Sequence, residues 1–413
     1  MRGLKAATLA AVTFSTLTSC ATYQNKVASA RESMRQGQAT QAAKDLEPLA
    51  KEEGNDQLIY LLDYATVLQQ AGRYKESASV FSRAEKMADI QDYHSISKVT
   101  TAALLSEEMI QYKGDDYEKV LINAVNAINF LEMGDLDGAN VEVRRLNGKL
   151  YKFKYEAKKD YQQNPYAFYL SAMIYEAGAK WDDAYISFKQ AYEVAPNYLP
   201  LHEDLVRSAI RAQRNEDVDK WLKKFPEVKV SPEWRDKSYG EAVLVLMQGW
   251  GPRKHPRPEA PRFPHLVPVH SEVQGARLVI NGNTSGAVHS ESIFSVQEVA
   301  IKTLNDDYAR LVASRVGGVV AKAVVADQIA QKNKLLGQLA YLAMNAVDRA
   351  DLRQWSTLPQ TFQFARIPLK AGKYQINAMG INSQGYPTGE QMSEREIEIK
   401  PGRKTFISWR TVR

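Results

Sequence analysis

Residues 165–197 read PYAFYLSAMIYEAGAKWDDAYISFKQAYEVAPN, and this stretch decides the fold of the half of the chain around it. Phe168, Ala172 and Tyr175 recur at helical spacing on one face, Gly178 interrupts, and Trp181, Ala184, Phe188 and Ala191 follow along a second face before Pro196 ends the unit. The alanines let two helices approach closely, and the aromatic rings fill the space between them. Such a hairpin leaves one apolar face uncovered, so further hairpins must stack upon it.

Working outward, less perfect copies appear. Tyr64, Ala65, Leu68, Gly72, Tyr74, Phe81 and Ala84 repeat the pattern, with Ser77 standing where the first unit has Ala184. A further copy holds Ala127, Phe130, Gly134, Leu136, Ala139 and Val143, and a worn one Ala30, Gly37, Ala42 and Leu46. Leu205, Val206, Ile210, Val218, Trp221 and Leu222 suggest a last pair without the glycine turn, suited to cap the array. The pattern resembles the tetratricopeptide repeat (TPR), including that family's A-x3-F spacing in Ala184 and Phe188. The resemblance implies stacked hairpins curving around a concave groove that holds a peptide or helix of a partner protein. A non-repeating helical bundle is the alternative reading of the same residues.

The chain changes character near residue 230, and the boundary falls between Pro226 and Tyr239. Residues 20–230 read as the TPR-like helical domain and 231–413 as a β-rich one. Strands are expected at Glu241–Gln248, Arg277–Asn281, Gln360–Pro368, Tyr374–Met379, Arg395–Ile399 and Thr405–Trp409, where apolar runs or period-two alternation meet glycine or proline turns. Ile293 to Ile301 leads toward a helical insertion at about 306–351. There Ala313, Gly317 and Ala321 form a small-residue stripe for Leu335, Leu339, Leu342 and Val347 to cover, and Arg315, Lys322 and Asp327 interrupt the run before it could span a bilayer. The expected class is α+β: an N-terminal TPR-like α-solenoid followed by a small β-sandwich-like domain with an inserted helical hairpin. Between Pro252 and Pro268 the prolines imply extended loop or edge. His255, His265, His270 and His289 fall in or after it, with spacings that suit no metal site, and loop histidines are the reading preferred.

The first residues carry an address. Arg2 and Lys5 precede an apolar run from Ala6 to Leu17, closed by Leu17, Thr18, Ser19 and Cys20. Residues 1–19 have the form of a secretory signal, and its end resembles a lipobox, which implies cleavage before Cys20 and acylation of that residue, palmitate included. Cys20 is the single cysteine in 413 residues, so no intramolecular disulfide is possible. Ala21, rather than aspartate, follows it, which by resemblance to Gram-negative sorting implies the outer membrane, facing the periplasm. Removing the signal leaves 52 basic and 48 acidic residues, a formal charge of +4 without a like-charge block, so nucleic acid is not an expected partner.

Asp351, Arg353, Trp355, Leu358 and Pro359 spell D-x-R-x-W-x-x-L-P, and Gly251, Pro252 and Lys254 spell G-P-x-K. Both resemble signatures of a poorly characterised family of bacterial envelope lipoproteins with TPR-like N-termini, which carries no established reaction. Read structurally, Asp351 pairs with Arg353 near a helix end while Trp355 anchors the following strand in its core. No nucleophile with its base, phosphate loop or metal-ligand set stands at a diagnostic spacing, so neither catalytic residue, cofactor nor metal is assigned. Tyr151, Tyr155 and Tyr161, interleaved with Lys152, Lys154, Lys158 and Lys159, form a candidate partner patch, a solvated helix face being the alternative. The expectation is a non-enzymatic, membrane-anchored scaffold whose groove takes an envelope protein and whose acylated Cys20 takes the bilayer. The alternatives are a peptidoglycan- or glycan-binding protein, or an accessory subunit of an outer-membrane export or assembly complex.

Overall fold

The computed structural model describes residues 23–94, 111–152, 164–331, 334–336, 338 and 349–413. Cys20, Ala21, Lys154, Tyr155, Lys158, Lys159, Tyr161, Leu339, Leu342 and Val347 lie outside the described residues, as do the side chains of Arg315, Ala321 and Lys322. Among the described residues the first part of the chain is helical throughout. A single turn, α1 (Tyr23–Lys26), leads into α2 (Ala28–Arg35), α3 (Ala39–Lys51), α4 (Gln57–Gln70), α5 (Tyr74–His94), α6 (Asp116–Glu132), α7 (Leu136–Tyr151), α8 (Pro165–Ala177), α9 (Trp181–Val194), α10 (Pro200–Arg211) and α11 (Asn215–Lys224).

From α2 onward these helices form five consecutive hairpins, and the backbone closes each turn in the same way. The residue after the turn's left-handed position reaches back five residues: Gln38 N to Ser33 O, Arg73 N to Leu68 O, Asp135 N to Phe130 O, Lys180 N to Tyr175 O, and Arg214 N to Ala209 O, all at 2.8–2.9 Å. This is the Schellman closure. The left-handed position is glycine in the first three, Gly37, Gly72 and Gly134, but Ala179 (φ 55°) and Gln213 (φ 56°) in the last two. The turn expected on Gly178 is therefore one residue later, since Gly178 itself has an ordinary φ of −86°. The fifth hairpin has no glycine signal because Gln213 carries the strain directly. Ser77, the departure from alanine in the second hairpin, is explained by its hydroxyl, which donates to Ala65 O at 2.7 Å and accepts from Asn129 Nδ2 at 2.9 Å.

After α11 the chain builds β1 (Tyr239–Gln248), β2 (Arg253–Arg257), β3 (Ala260–Val267), β4 (Gly275–Ile280), β5 (Asn283–His289), β6 (Glu291–Ser295), α12 (Val296–Ala330), β7 (Thr361–Lys370), β8 (Gly372–Ile381), β9 (Pro387–Gln391), β10 (Arg395–Ile399) and β11 (Lys404–Arg410). One sheet has the order β11-β1-β7-β6, with β1 parallel to β11 and antiparallel to β7; a second has the order β10-β8-β4-β5, with β9 on β8. Alternation along β1 sets both layers. Ala242, Leu244 and Leu246 face the second sheet and join Leu278, Ile376 and Ala378, whereas Val243, Val245 and Met247 join the core of the helical array. A strand buried on both faces reads as a continuous apolar run rather than a clean alternation.

Three expectations need correction. The proline-rich stretch is not loop: β2 and β3 pair as a hairpin, with prolines spaced so that enough donors remain, and His255 lies directly opposite His265. Those two histidines thus do have a strand pairing, their rings 6.3 Å apart, with no third potential metal ligand grouped beside them among the described residues. The inserted helix begins at Val296, directly after β6, where the Ser295 hydroxyl accepts from Glu298 N at 3.1 Å. No helix among the described residues is long and apolar enough to cross a membrane.

Candidate functional site: a groove filled by the chain itself

The inner helices α4, α6 and α8 are buried almost all round, which a solenoid open to solvent on its concave side would not allow. Their outer faces meet the second helix of each hairpin. The inner faces of α6 and α8 meet the first sheet, and that of α4 meets residues 355–357. Tyr166 of α8 stacks on Phe362 of β7 with ring centroids 4.1 Å apart, and Tyr169 packs against Phe364 at 4.8 Å. The groove expected to hold a partner is occupied by the protein's own β-domain, and that expectation is corrected: a protein partner must use another surface.

At this end the polar side chains are fully matched in charge. Asp204 accepts from Tyr169 Oη at 2.7 Å and from Arg207 Nη2 at 2.8 Å, and also binds Arg366. Glu176 lies 2.9 Å from Arg207 and 3.0 Å from Lys404, while Glu241 contacts Lys404 and lies 3.3 Å from Arg207. Three buried acids thus meet three buried bases across α8, α10, β1, β7 and β11. Burial works against the Glu241 carboxylate, but Lys404, Arg366 and Arg207 together hold its pKa well below the usual range. Burial likewise opposes the Arg207 guanidinium, and Glu176, Asp204 and Glu241 together outweigh it, so the pKa rises. Removing one member would leave its partner charged and buried, the costly way to break such a pair.

Midway along the groove, residues 351–359 run between the repeats and the sheet. Arg353 forms a fork on Asp351, with Nε and Nη2 at 2.9 and 2.8 Å, and reaches Asp56 of the second hairpin at 3.0 Å. Trp355 is buried against Phe81, ring centroids 5.7 Å apart, and its Nε1 donates to Thr66 Oγ1 at 2.9 Å. Its indole therefore anchors the segment in the helical array rather than in the sheet core. Asp63 accepts from Tyr23, from Ser356 Oγ at 3.0 Å, and from Thr357 N and Oγ1 at 2.9 and 2.8 Å. The second motif closes on the first: Lys254 Nζ donates to Arg353 O at 2.9 Å, Gln354 Nε2 to Pro252 O at 2.6 Å, and Gly251 N to Leu358 O at 2.9 Å. Two motifs a hundred residues apart form one contact.

Glu118 sits under that contact. Its Oε2 accepts from Asp115 N at 3.0 Å, completing the capping box of α6, and its Oε1 accepts from Trp355 N at 2.8 Å. Burial, then the neighbouring Asp115 carboxylate, push its pKa up to about 7 despite Lys254 and the hydrogen bonds from Tyr112 and Trp355. Glu118, Asp63 and Thr66 were not singled out in the sequence, where an acid or hydroxyl inside a helical repeat reads as a solvated position. The one available signal was the capping pair Asp115 and Glu118 before an apolar run.

Of the candidate tyrosine patch, Tyr151 ends α7 with 60% of its surface exposed. It borders a cleft of about 290 Å³ between α7 and the fourth hairpin, lined also by Leu150, Phe168, Tyr175, Ile186 and Val194, with Asp183 and Glu193 among its polar residues. Ile186 and Val194 are exposed apolar side chains of α9.

No protein-family profile matches the chain, and no curated protein sequence resembles it. Solved structures align with about half of it. MamA 41-end from Desulfovibrio magneticus RS-1 is 15% identical, covering 48% of this chain and 88% of its own at a TM-score of 0.32. The nearly identical TPR-like repeats of a Podosopora anserina kinesin light chain are 12% identical over 49% and 93%, at 0.33. The TPR2AB domain of yeast Sti1, in complex with an HSP90 peptide, is 13% identical over 50% and 78%, at 0.22.

Proposed function

We propose that this chain is a non-enzymatic, lipid-anchored interaction scaffold of the bacterial cell envelope, attached through Cys20 to the outer membrane. In it the repeat array and β-domain act as one unit that meets its partner on an outer face. The observation that carries this reading is the contrast between a groove closed in cis and the cleft bordered by Tyr151, Ile186 and Val194, which leaves large apolar side chains in water. Clustered exposed apolar side chains mark interaction sites more often than scattered ones. Asp183 and Glu193 beside that apolar floor suit an amphipathic segment carrying lysine or arginine from another envelope protein.

The test is affinity purification from solubilised envelopes with the full chain and with Ile186→Glu, a substitution at an exposed position. A partner retained by the wild type and depleted at least tenfold by Ile186→Glu is the expected result. Equal recovery by both would remove the cleft from the account. Anchoring is tested separately: Cys20→Ala should move the protein from the membrane fraction to the soluble fraction, and full retention in the membrane fraction would count against lipidation as the tether.

A further inference from the structure

The chain enters its folded body at a fixed point. Tyr23 is 5% exposed; its hydroxyl contacts Asp63 and lies 2.8 Å from Gln354 O, and its ring lies 5.7 Å from that of Tyr60. Gln24 Nε2 donates to Lys254 O at 2.6 Å. Tyr23 and Gln24 are thereby clamped among the second hairpin, the 351–359 segment and β2. Cys20 is three residues before Tyr23, and three residues reach at most about 11 Å even when fully extended. An acylated Cys20 therefore brings the bilayer to the face around the clamp.

The side chains of that face are basic. α1, α2 and β2 together hold Lys26, Arg31, Arg35, Arg253, Lys254 and Arg257 against one acid, Glu32, which accepts from Gln36 Nε2 at 2.9 Å. Arg31, Lys254 and Arg257 are committed within the protein. Arg31 donates to Ser356 O, Lys254 to Arg353 O at 2.9 Å, and Arg257 lies 4.5 Å from the Tyr308 ring and 3.8 Å from Glu259. The other three reach solvent. Lys26 and Arg35 are exposed and Arg253 is half-buried, and none of them has an acid at ion-pair distance among the described residues. Arg253 and Arg35 both lie near enough to Arg31 to help burial lower its pKa to about 10, against the opposing effect of Tyr23 and Asp63. Arg31 thus joins the exposed cations to the clamp. Across the β2–β3 hairpin, Arg253 stands opposite the exposed Val267 and His255 opposite His265, so the basic face continues onto that hairpin.

We propose that this face, centred on Lys26, Arg35 and Arg253, rests on anionic phospholipid headgroups. The inference rests on the reading of Cys20 as the acylated residue for where the bilayer lies, and on charge for what the bilayer presents. Guanidinium groups match phosphate oxygens through forked hydrogen bonds, and a basic patch beside an acyl chain is a combination that holds a protein stably at a membrane. So short a tether leaves little room for an acidic protein in the same place. The face is separate from the α7–α9 cleft and uses none of its residues.

The experiment is sedimentation with vesicles of the mature chain from residue 20, carrying Cys20→Ala so that no acyl chain contributes and keeping every residue of the folded body. Vesicles of phosphatidylglycerol with phosphatidylcholine should bind it, and vesicles of phosphatidylcholine alone should not. Raising sodium chloride from about 50 to about 300 mM, which shortens the reach of surface charge, should release it. Reversing both arginines, Arg35→Glu with Arg253→Glu, should weaken binding at least about tenfold, each cation near such a surface being a sizeable share of the attraction. Lys26→Glu, at an exposed position, should weaken it in the same direction and decides the matter if the double variant does not fold. Lys223→Glu with Lys229→Glu, equal in charge but at the far end of the array, should leave binding within about twofold. No binding to the charged vesicles, equal binding to both kinds, or equal weakening by the two reversed pairs would overturn the proposal. A native chain that washes off membranes while the Cys20→Ala chain still binds charged vesicles removes lipidation and keeps this face. A native chain held on membranes, with no vesicle binding by Cys20→Ala, does the reverse.

Discussion

The two ends of one groove solve the same packing problem differently. Beneath α8 and α10 the β-domain brings Phe362 and Phe364 onto Tyr166 and Tyr169, and sets Arg366, Lys404 and Glu241 against Asp204, Arg207 and Glu176, so that every buried charge has an opposite. Beneath the second hairpin it brings Arg410 beside Arg31 and leaves polar atoms of Gln69, Gln70 and both Arg395 and Arg410 unpartnered among the described residues. The difference is one of charge: one face is balanced, and the other gathers guanidinium groups around Trp250. Aromatic stacking and balanced ion pairs hold two domains together, and neither is served by buried unmatched donors, whose burial carries a penalty without a contact in return.

If the seam makes repeats and sheet a single unit, the largest effect should come from the residue common to both. Trp355→Ala removes an indole packed on Phe81 and the Thr66 hydrogen bond, leaving a cavity in the array. The expected loss is about 3–5 kcal/mol. Urea unfolding followed by circular dichroism should show a lower midpoint and a transition broadened or split as sheet and repeats uncouple. A variant that unfolds with the wild-type midpoint and slope would show that the seam does not join the halves energetically.

A second way to probe the comparison is pH. Glu118 has its pKa raised from the ordinary 4.5 to about 7 by burial and by Asp115. The folded state thus binds this proton more tightly than the unfolded chain does. Its contribution is fully favourable below about pH 4.5 and is lost as pH rises through 7. From this group alone, the wild type should lose roughly 3 kcal/mol between pH 4.5 and pH 8, at 1.36 kcal/mol per unit. Glu118→Gln, which keeps an acceptor for Trp355 N and cannot ionise, should flatten that part of the profile of urea midpoint against pH. Parallel profiles for the two proteins would show that Glu118 does not titrate in this window. The balanced end should contribute the opposite sign at low pH, because Glu241 is held ionised and its contribution is lost only on strong acidification.

How much of this was legible beforehand depends on what kind of signal each residue left. Helical spacing and small residues exposed the hairpins from Ala30 onward, and alternation exposed most strands. The positions that failed have more than one physical cause. Ala179 and Gln213 hold left-handed turns without glycine, Ser295 starts α12 earlier than composition implied, and β2 and β3 pair despite their prolines. The two turns and the paired prolines run against residue preference, whereas the Ser295 cap is a local signal that composition passed over. The motif residues 351–359 were legible as a motif, and the Asp351–Arg353 pair as an ion pair, yet their place against Asp56, Asp63 and Thr66 was not, since no spacing records which surfaces meet across some three hundred residues. The closed groove followed from the same omission: repeat periodicity specifies a concave face and is silent on what covers it.

Smaller effects sharpen the contrast. Ser77→Ala restores the residue most hairpins of this kind carry, and sequence likeness alone would predict stabilisation. The structure predicts the reverse, since the Ser77 hydroxyl joins Ala65 O to Asn129 Nδ2 in a buried place. The substitution should cost about 1 kcal/mol, the net value of a typical hydrogen bond, with somewhat more if Asn129 is left short of an acceptor. Measured in urea, a stabilised Ser77→Ala would return the site to plain packing and take it out of the polar lining.

The smallest effect tests the closed end at an unpartnered hydroxyl. Tyr166 is buried against Phe362 and Phe364, and its hydroxyl has no hydrogen-bond partner among the described residues, unlike that of Tyr169, which donates to Asp204. If closure is what this end is built for, the ring supplies the stability and the oxygen supplies none. Tyr166→Phe should then be neutral or stabilising by about 1 kcal/mol, because a desolvated hydroxyl without a partner is removed and the stacked geometry is kept. Tyr169→Phe, measured beside it, should be destabilising, since it strips an acceptor's partner from Asp204 and disturbs a charge balance shared by six side chains. Equal losses from both would mean that Tyr166 Oη also has an essential role, and the closed end would then resemble the Arg410 end more than its aromatic packing implies.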